Sequence, residues 1–258
     1  MTAPKLRPPT SGWIADLPEP SCKPTAPLAL EGNAPNHLDD IYLEVPRISA
    51  RARGIYFWMG IVMAIIGVSS LLLTDPSSFN LFEDFFIVAS DILFLIICGC
   101  LAGVYVRMDI SVPRDLPLRF NRARQRLYAY NFRDSWWNPF RSWRAAPVAY
   151  DWSQVRAERW HKRAYTPQGA LILQWGVDLS IVEPGTNNVI DRFLLSSTGT
   201  DEFAWAYICT YMQQGPSALP PPDPPRDHTD VPWYKIGLRF APEVKWPDDM
   251  DLESRTAP

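Results

Sequence analysis

Asp151, Glu158 and His161 form the tightest group of acid–base side chains in this 258-residue sequence. A carboxylate beside a histidine is the minimum for proton transfer or for activating a nucleophile. In a strand, however, residues three apart point to opposite faces, so Glu158 and His161 do not converge. The remaining histidines, His37 and His228, stand alone. Cys22, Cys98, Cys100 and Cys209 show no zinc spacing. No catalytic residue, metal ligand or cofactor follows from these patterns, and the sequence reads as non-enzymatic. The other notable ionisable group is Asp91, the one charge inside the two long apolar runs, 55–73 and 85–106. A carboxyl there is either part of an ion or proton path, a docking point, or a polar clasp between helices. Two helices alone enclose no pore, which favours the clasp.

The elements that would carry Asp91 are two apolar runs, 55–73 and 85–106, joined by a short polar segment. At 1.5 Å per residue each is about 30 Å long, enough to cross a bilayer. Core helices of a soluble globule carry a polar stripe, and 55–73 has no charged residue at all. Gly60 with Ala64, and Gly99 with Gly103, are small-xxx-small pairs, predicted to let helices pack closely within the hairpin or between copies. Arg47, Arg51 and Arg53 precede the first run, and Arg107, Arg114 and Arg119 follow the second. The joining segment carries only acids. The positive-inside rule then predicts an inner-membrane, multi-pass protein with both termini in the cytoplasm, where structural disulfides are rare. Tyr56, Phe57, Trp58 and Tyr105 make the expected inner aromatic belt.

Charge is uneven along the chain. Residues 107–163 carry thirteen Lys or Arg against five Asp or Glu, a surplus suited to anionic lipid headgroups. No nucleic-acid-binding motif accompanies it, so no nucleic-acid partner is expected. The sequence divides into a Pro-rich, largely disordered arm (1–46), the helical hairpin (47–107), a strand-rich cytoplasmic domain (108–215) and a Pro-rich acidic tail (216–258). In the arm, Ile41, Leu43 and Val45 alternate as a short strand does, and Trp13 with Ile14 can anchor the arm to a folded body. In the domain, 118–121 and 126–132 flank a polar turn. Further strands are read at 148–152, 155–160, 169–175, 177–182 and 189–195, the last two joined by the turn EPGTNN. A helix follows at 201–213, capped by Thr200 and stopped by Gly215-Pro216. A last strand at 231–240 and a fraying end complete the reading. Trp136, Trp137, Phe140 and Trp143 form a cluster too irregular for a strand and too apolar for a free loop. It is the candidate partner-binding surface, with cover for the sheet edge or lipid contact as the alternatives.

The segments PLRFNRARQRLYAY (117–130), YDW (150–152), VEPGT with DRF (182–193) and FAWAYICTYMQQGP (203–216) are similar to a family of uncharacterised bacterial membrane proteins. These have two transmembrane helices followed by a domain of unknown function. The resemblance spans about residues 47–216. It implies genes placed near type VI secretion effectors, and hence an accessory or immunity role with a secreted toxin or secretion component as partner. The element order also resembles that of pleckstrin-homology-like (PH-like) domains: an antiparallel sheet or barrel with one C-terminal helix. The expected architecture is therefore a membrane α-helical hairpin plus an α+β domain. The expected function is a non-enzymatic, membrane-anchored protein-binding module. Its alternatives are an oligomeric channel or transport component and, less favoured, a membrane-surface enzyme.

Overall fold

A computed structural model describes residues 3–30, 34–47, 54–73, 85–133, 142–165, 171–196, 201–221 and 232–258. Two antiparallel sheets form the body. The five-stranded sheet has the order β2 (His37–Leu38), β3 (Tyr42–Val45), β4 (Leu118–Asn121), β5 (Arg126–Arg133), β6 (Arg144–Asp151). The four-stranded sheet has the order β1 (Trp13–Asp16), β7 (Val155–Tyr165), β8 (Leu171–Val182), β9 (Val189–Ser196). Between β3 and β4 run two helices, α1 (Tyr56–Leu73) and α2 (Phe85–Ile110). Both are long and apolar enough to cross a membrane, and only 11% of each is buried. After β9 comes α3 (Asp201–Gln214), and near the C-terminus α4 (Asp248–Arg255).

Alternation explains the core. On β8, Val177, Leu179 and Ile181 point inward with no exposure. Leu127 and Ala129 of β5, Leu43 of β3 and Phe120 of β4 meet them from the other sheet. Trp205, Ile208, Cys209 and Met212 of α3 close the same core, as their helical spacing predicts. Gly215 ends α3 at φ 86°, its N–H reaching Tyr211 O at 2.8 Å, the left-handed stop that glycine adopts without strain. Trp152 sits at the corner between β6 and β7 and packs edge-on against Phe120.

Several expectations are corrected. The arm is not a free extension. β1 pairs with the edge of β7 (Trp13 opposite Trp160), and β3 pairs with β4. Trp205 Nε1 donates to Pro18 O, and Gln213 Nε2 to Pro20 O, so side chains of α3 satisfy proline-rich backbone that pairs with no strand. Residues 169–175 and 177–182 are not two strands. β8 runs unbroken, with Gly176 in register opposite Trp160, since a lone glycine weakens a strand without ending it. The expected strand at 231–240 is not one over its described residues, 232–240: Trp233–Arg239 is a kinked 3-10 turn. The acidic end does not fray. Asn121 Nδ2 donates to Ser254 O (3.1 Å) and Thr256 O (3.0 Å), and the buried Arg119 guanidinium pairs with Glu44 and Asp251. Tyr128 and Tyr130, on the face of β5 away from the main core, are buried against Trp246. The tail thus makes the second face of that sheet a second, small core. The capping residue Thr200 lies outside the described residues.

Candidate functional site at the hairpin-proximal end of the β domain

Val45 of β3 lies opposite Leu118 of β4, so the helical hairpin is an excursion from one β-hairpin connection. That end of the sheet is the one nearest the helices. Strands β5 and β6 overshoot it. Tyr130 N donates to Pro117 O, and the pair continues three residues further to Arg133 opposite Arg144, about 10 Å at strand rise. The connection beyond carries Trp136, Trp137 and Phe140, which lie outside the described residues. Trp143 is described. It is half-buried, and the Arg107 guanidinium of α2 stacks over its ring at 4.8 Å. Its indole Nε1 is buried and finds no acceptor among the described residues.

The helices are tied to the domain by backbone capping. Asp109, fully buried on the last turn of α2, accepts from Gly54 N (2.8 Å) and Phe57 N (2.7 Å). A carboxylate there satisfies orphan donors at the start of α1 and meets its positive dipole end. Tyr56 and Tyr105 stack across the pair at 6.3 Å. Trp58 Nε1 donates to Tyr234 O, and Phe57 stacks on Phe240. A Cβ at Gly237 would come within 2.9 Å of Phe57 Cβ and 3.0 Å of Asp109 Cβ. The Trp233–Arg239 turn is thus a strap across the base of the hairpin, and only glycine lets it lie so close. Arg114 donates to Ala241 O and Arg239 O from the other side.

The arginines that set the positive flank also bind this junction. Arg47 donates to Leu116 O, Tyr130 O and Asn131 Oδ1 and lies 5.8 Å from the Phe193 ring. Burial pushes its guanidinium down to about 10, and the Asp115 charge works against that shift. It remains charged at neutral pH.

Within the hairpin the close contacts differ from those expected. Gly60 meets α2 as predicted: an added Cβ would lie 2.6 Å from Val106 Cγ2 and 2.9 Å from Ala102 O. The second contact is Gly67, 2.8 Å from Cys98 Cβ, and Ala64 is exposed. Around Gly99 and Gly103 there is open space. The seam therefore repeats at four and three residues, through Gly60, Met63, Gly67 and Ser70 on α1 and Asp91, Leu95, Cys98 and Ala102 on α2. A GxxxG pair one position off that stripe faces outward. Asp91 is half-buried on the seam. Ser69 and Ser70 donate to the Ile65 and Gly67 carbonyls of their own helix, and Thr74 lies outside the described residues.

Glu158 and His161 fall on opposite faces of β7, as strand spacing predicts. Glu158 is fully buried and accepts from Thr10 N (3.0 Å), Ser180 Oγ (2.5 Å) and Arg192 Nη2 (2.8 Å). Beside it, Thr10 Oγ1 and Trp160 Nε1 donate to Asp178. This network pins the arm to the sheet and leaves Glu158 no approach for a substrate. His161 lies instead beside Trp175, 6.1 Å between rings. Asp151 bonds Arg126 at the opposite end of the domain. Burial raises the Cys209 thiol well above its usual range, so it is inert. Among the described residues no three His, Cys, Asp or Glu side chains gather as metal ligands. Sequence reasoning missed Asp109 and Gly237, and gave Arg47 a place in the positive flank without its role as a donor at the junction. An Asp two residues after Arg107, beyond an apolar run, was the available signal for the first.

Residues 93–258 match DUF6708, described as a family of unknown function, and the chain belongs to that family. The match includes the tail, placed outside the resemblance on sequence grounds, in keeping with its packing on the domain. No curated protein matches the chain. No solved structure matches it.

Proposed function

We propose that this protein is a non-enzymatic binding module held in a bacterial inner membrane by α1 and α2, with both termini cytoplasmic. Its β domain is PH-like in element order, two antiparallel sheets closed by a C-terminal helix. Its hairpin-proximal end offers Trp136, Trp137, Phe140 and Trp143 to a protein partner. The partner class is a type VI secretion effector or secretion component, and the role accessory or immunity. The observation that carries the reading is Trp143: an indole N–H without an acceptor among the described residues, stacked on Arg107 of α2 at the mouth of an overshooting strand pair. Aromatic and arginine side chains so placed are the usual anchors of protein interfaces. The structural engagement of Glu158 favours binding over catalysis. The test is detergent co-purification of the intact protein with the products of neighbouring genes. One specific partner should be retained, and lost when Trp136, Trp137 and Phe140 are replaced by alanine. Recovery of the protein alone in every pairing would reject the reading.

An oligomeric channel or transport component is the second reading. It is favoured by the outward placement of Gly99 and Gly103, the surface through which α2 of one copy would pack on another. Monomers by native mass measurement in lipid discs would remove it.

A further inference from the structure

We infer that the outer halves of β7 and β8, residues 161–165 and 171–175, rest in the anionic headgroup layer of the membrane that α1 and α2 cross. The inference takes that membrane placement from the proposed function and owes nothing to the protein partner. Direction comes first. Gln154, at the β6–β7 corner, donates to Val182 O at 3.1 Å, and Trp152 N donates to Gln125 O in the β4–β5 turn. The C-terminal end of β8 therefore lies at the end of the domain away from the hairpin, and Leu171 points toward it. Length comes second. β1 stops at Trp13 opposite Trp160, and β9 stops at Ser196 opposite Val177. His161 N still donates to Gly12 O; past it β7 and β8 continue as a two-stranded ribbon with no other strand on it among the described residues, paired as far as Tyr165 opposite Leu171. It projects about 20 Å beyond the end of β9 along its own axis.

Chemistry comes third. The core stripe of β8, Val177, Leu179 and Ile181, has no exposure, yet the same stripe continues outward as Trp175, Leu173 and Leu171, exposed by 43%, 45% and 50%. A core face running out of its own domain is expected to be covered by something apolar, and two strand edges beside it that no described strand pairs are an aggregation hazard otherwise. The cover must also accept positive charge. Lys162 and Arg163 lie in residues 159–177, which contain no Asp or Glu, and both are exposed, whereas Arg159 is paired with Glu202. A second copy of this cationic ribbon would be repelled. Anionic lipid satisfies both demands: Trp and Leu enter the interface while Lys and Arg meet phosphates, each cation worth about fivefold in partition near such a surface.

The test uses full-length protein in lipid discs, with Cys22→Ser and Cys100→Ala, and an environment-sensitive fluorophore on one introduced cysteine. Three positions are compared: Leu72→Cys on α1, Leu173→Cys on the ribbon and Thr186→Cys in the far β8–β9 turn. Leu173 is exposed, and Leu171→Cys serves as a second ribbon position. In phosphatidylglycerol-rich discs the ribbon label should be blue-shifted and shielded from iodide nearly as well as the Leu72 label. The Thr186 label should stay open. Purely zwitterionic discs, or Lys162→Glu with Arg163→Glu, should return the ribbon label toward the Thr186 value. A ribbon label as open as Thr186 in anionic discs, with Leu72 shielded, overturns the proposal and leaves the bare stripe to a protein partner. An open Leu72 label overturns the membrane placement and the proposal with it.

Discussion

Val45 and Leu118 are cross-strand neighbours, and both long apolar helices lie between them in the chain. Arg47 and Asp115 close the neck just outside the sheet, the Arg47 N–H donating to Asp115 Oδ1 at 3.1 Å. Sheet pairing therefore fixes both ends of the hairpin at one end of the domain. Replacing residues 48–114 with a short Gly/Ser turn should leave a water-soluble domain with intact strand content. Loss of cooperative unfolding by circular dichroism in that variant would show that the domain depends on the helices.

Gly67 and Gly103 are both small residues in apolar helices, and the structure separates them. A Cβ at Gly67 would sit 2.8 Å from Cys98 Cβ, whereas Gly103 has nothing within 4 Å. Gly67→Val should lower the melting stability of the detergent-solubilised protein by about 1–3 kcal/mol through overpacking. Gly103→Val should change it by less than about 0.5 kcal/mol. Equal effects would place both glycines on the seam.

Asp109 caps α1 from the neighbouring helix. Asp109→Ala should cost about 1–2 kcal/mol, the range for a lost N-cap, and should loosen the Trp233–Arg239 strap, which packs on it. Limited proteolysis reads the second effect: cleavage near residues 232–241 should accelerate in the variant. An unchanged cleavage rate would mean that the strap is held independently, through Trp58 and Arg114.

Buried tyrosines shape the alkaline response. Burial, with the Glu253 charge adding to it, pushes Tyr128 up to about 12. Burial raises Tyr150 and Tyr211 as well, aided by Asp191 and Asp39 respectively. A folded-state value above the unfolded one near 10 favours the native state fully below pH 10, and that contribution is lost as pH rises through about 12. Stability should therefore hold to about pH 10 and fall steeply above it, with tyrosinate absorbance and unfolding appearing together. Tyrosinate absorbance rising well before unfolding would show these hydroxyls to be freely titrating.

Much of this was legible where one local rule sufficed. Period-two alternation located β4, β5 and β9, the EPGTNN turn joined β8 to β9, and helical spacing named the inward face of α3. What escaped was most of the long-range pairing. The alternation at Ile41, Leu43 and Val45 and the anchoring pair Trp13–Ile14 are too short to show which strands they join, so an arm that completes both sheets read as largely disordered. The tail is charged and proline-rich, yet Arg119 and Asn121 on β4 supply partners that composition alone does not reveal. Gly99 and Gly103 match a packing motif better than Gly60 and Gly67 do. Which stripe faces inward depends on helix rotation, and that is set by the neck at Asp109 and Gly54, far from either motif in sequence.

Glu158 is the residue on which the enzymatic alternative rests, and its surroundings assign it another task. Its carboxylate is wholly buried, takes three donors, and pairs with Arg192, which also donates to Pro8 O in the arm. Removing one member of a buried ion pair leaves the other uncompensated, at a cost of about 3–5 kcal/mol. Glu158→Ala should therefore unfold or severely destabilise the domain and free the arm, and Arg192→Ala should do nearly the same. The double substitution should cost well under the sum of the two, because the second change removes the stranded charge. His161→Ala, half-exposed on the other face, should stay within about 0.5 kcal/mol of the parent. Chemical denaturation of the four variants, beside the partner-retention assay, separates the alternatives. A Glu158→Gln protein as stable as the parent that nonetheless fails in the cell would return Glu158 to chemistry. Parallel losses of stability and retention would fix it as the pin between arm and sheet.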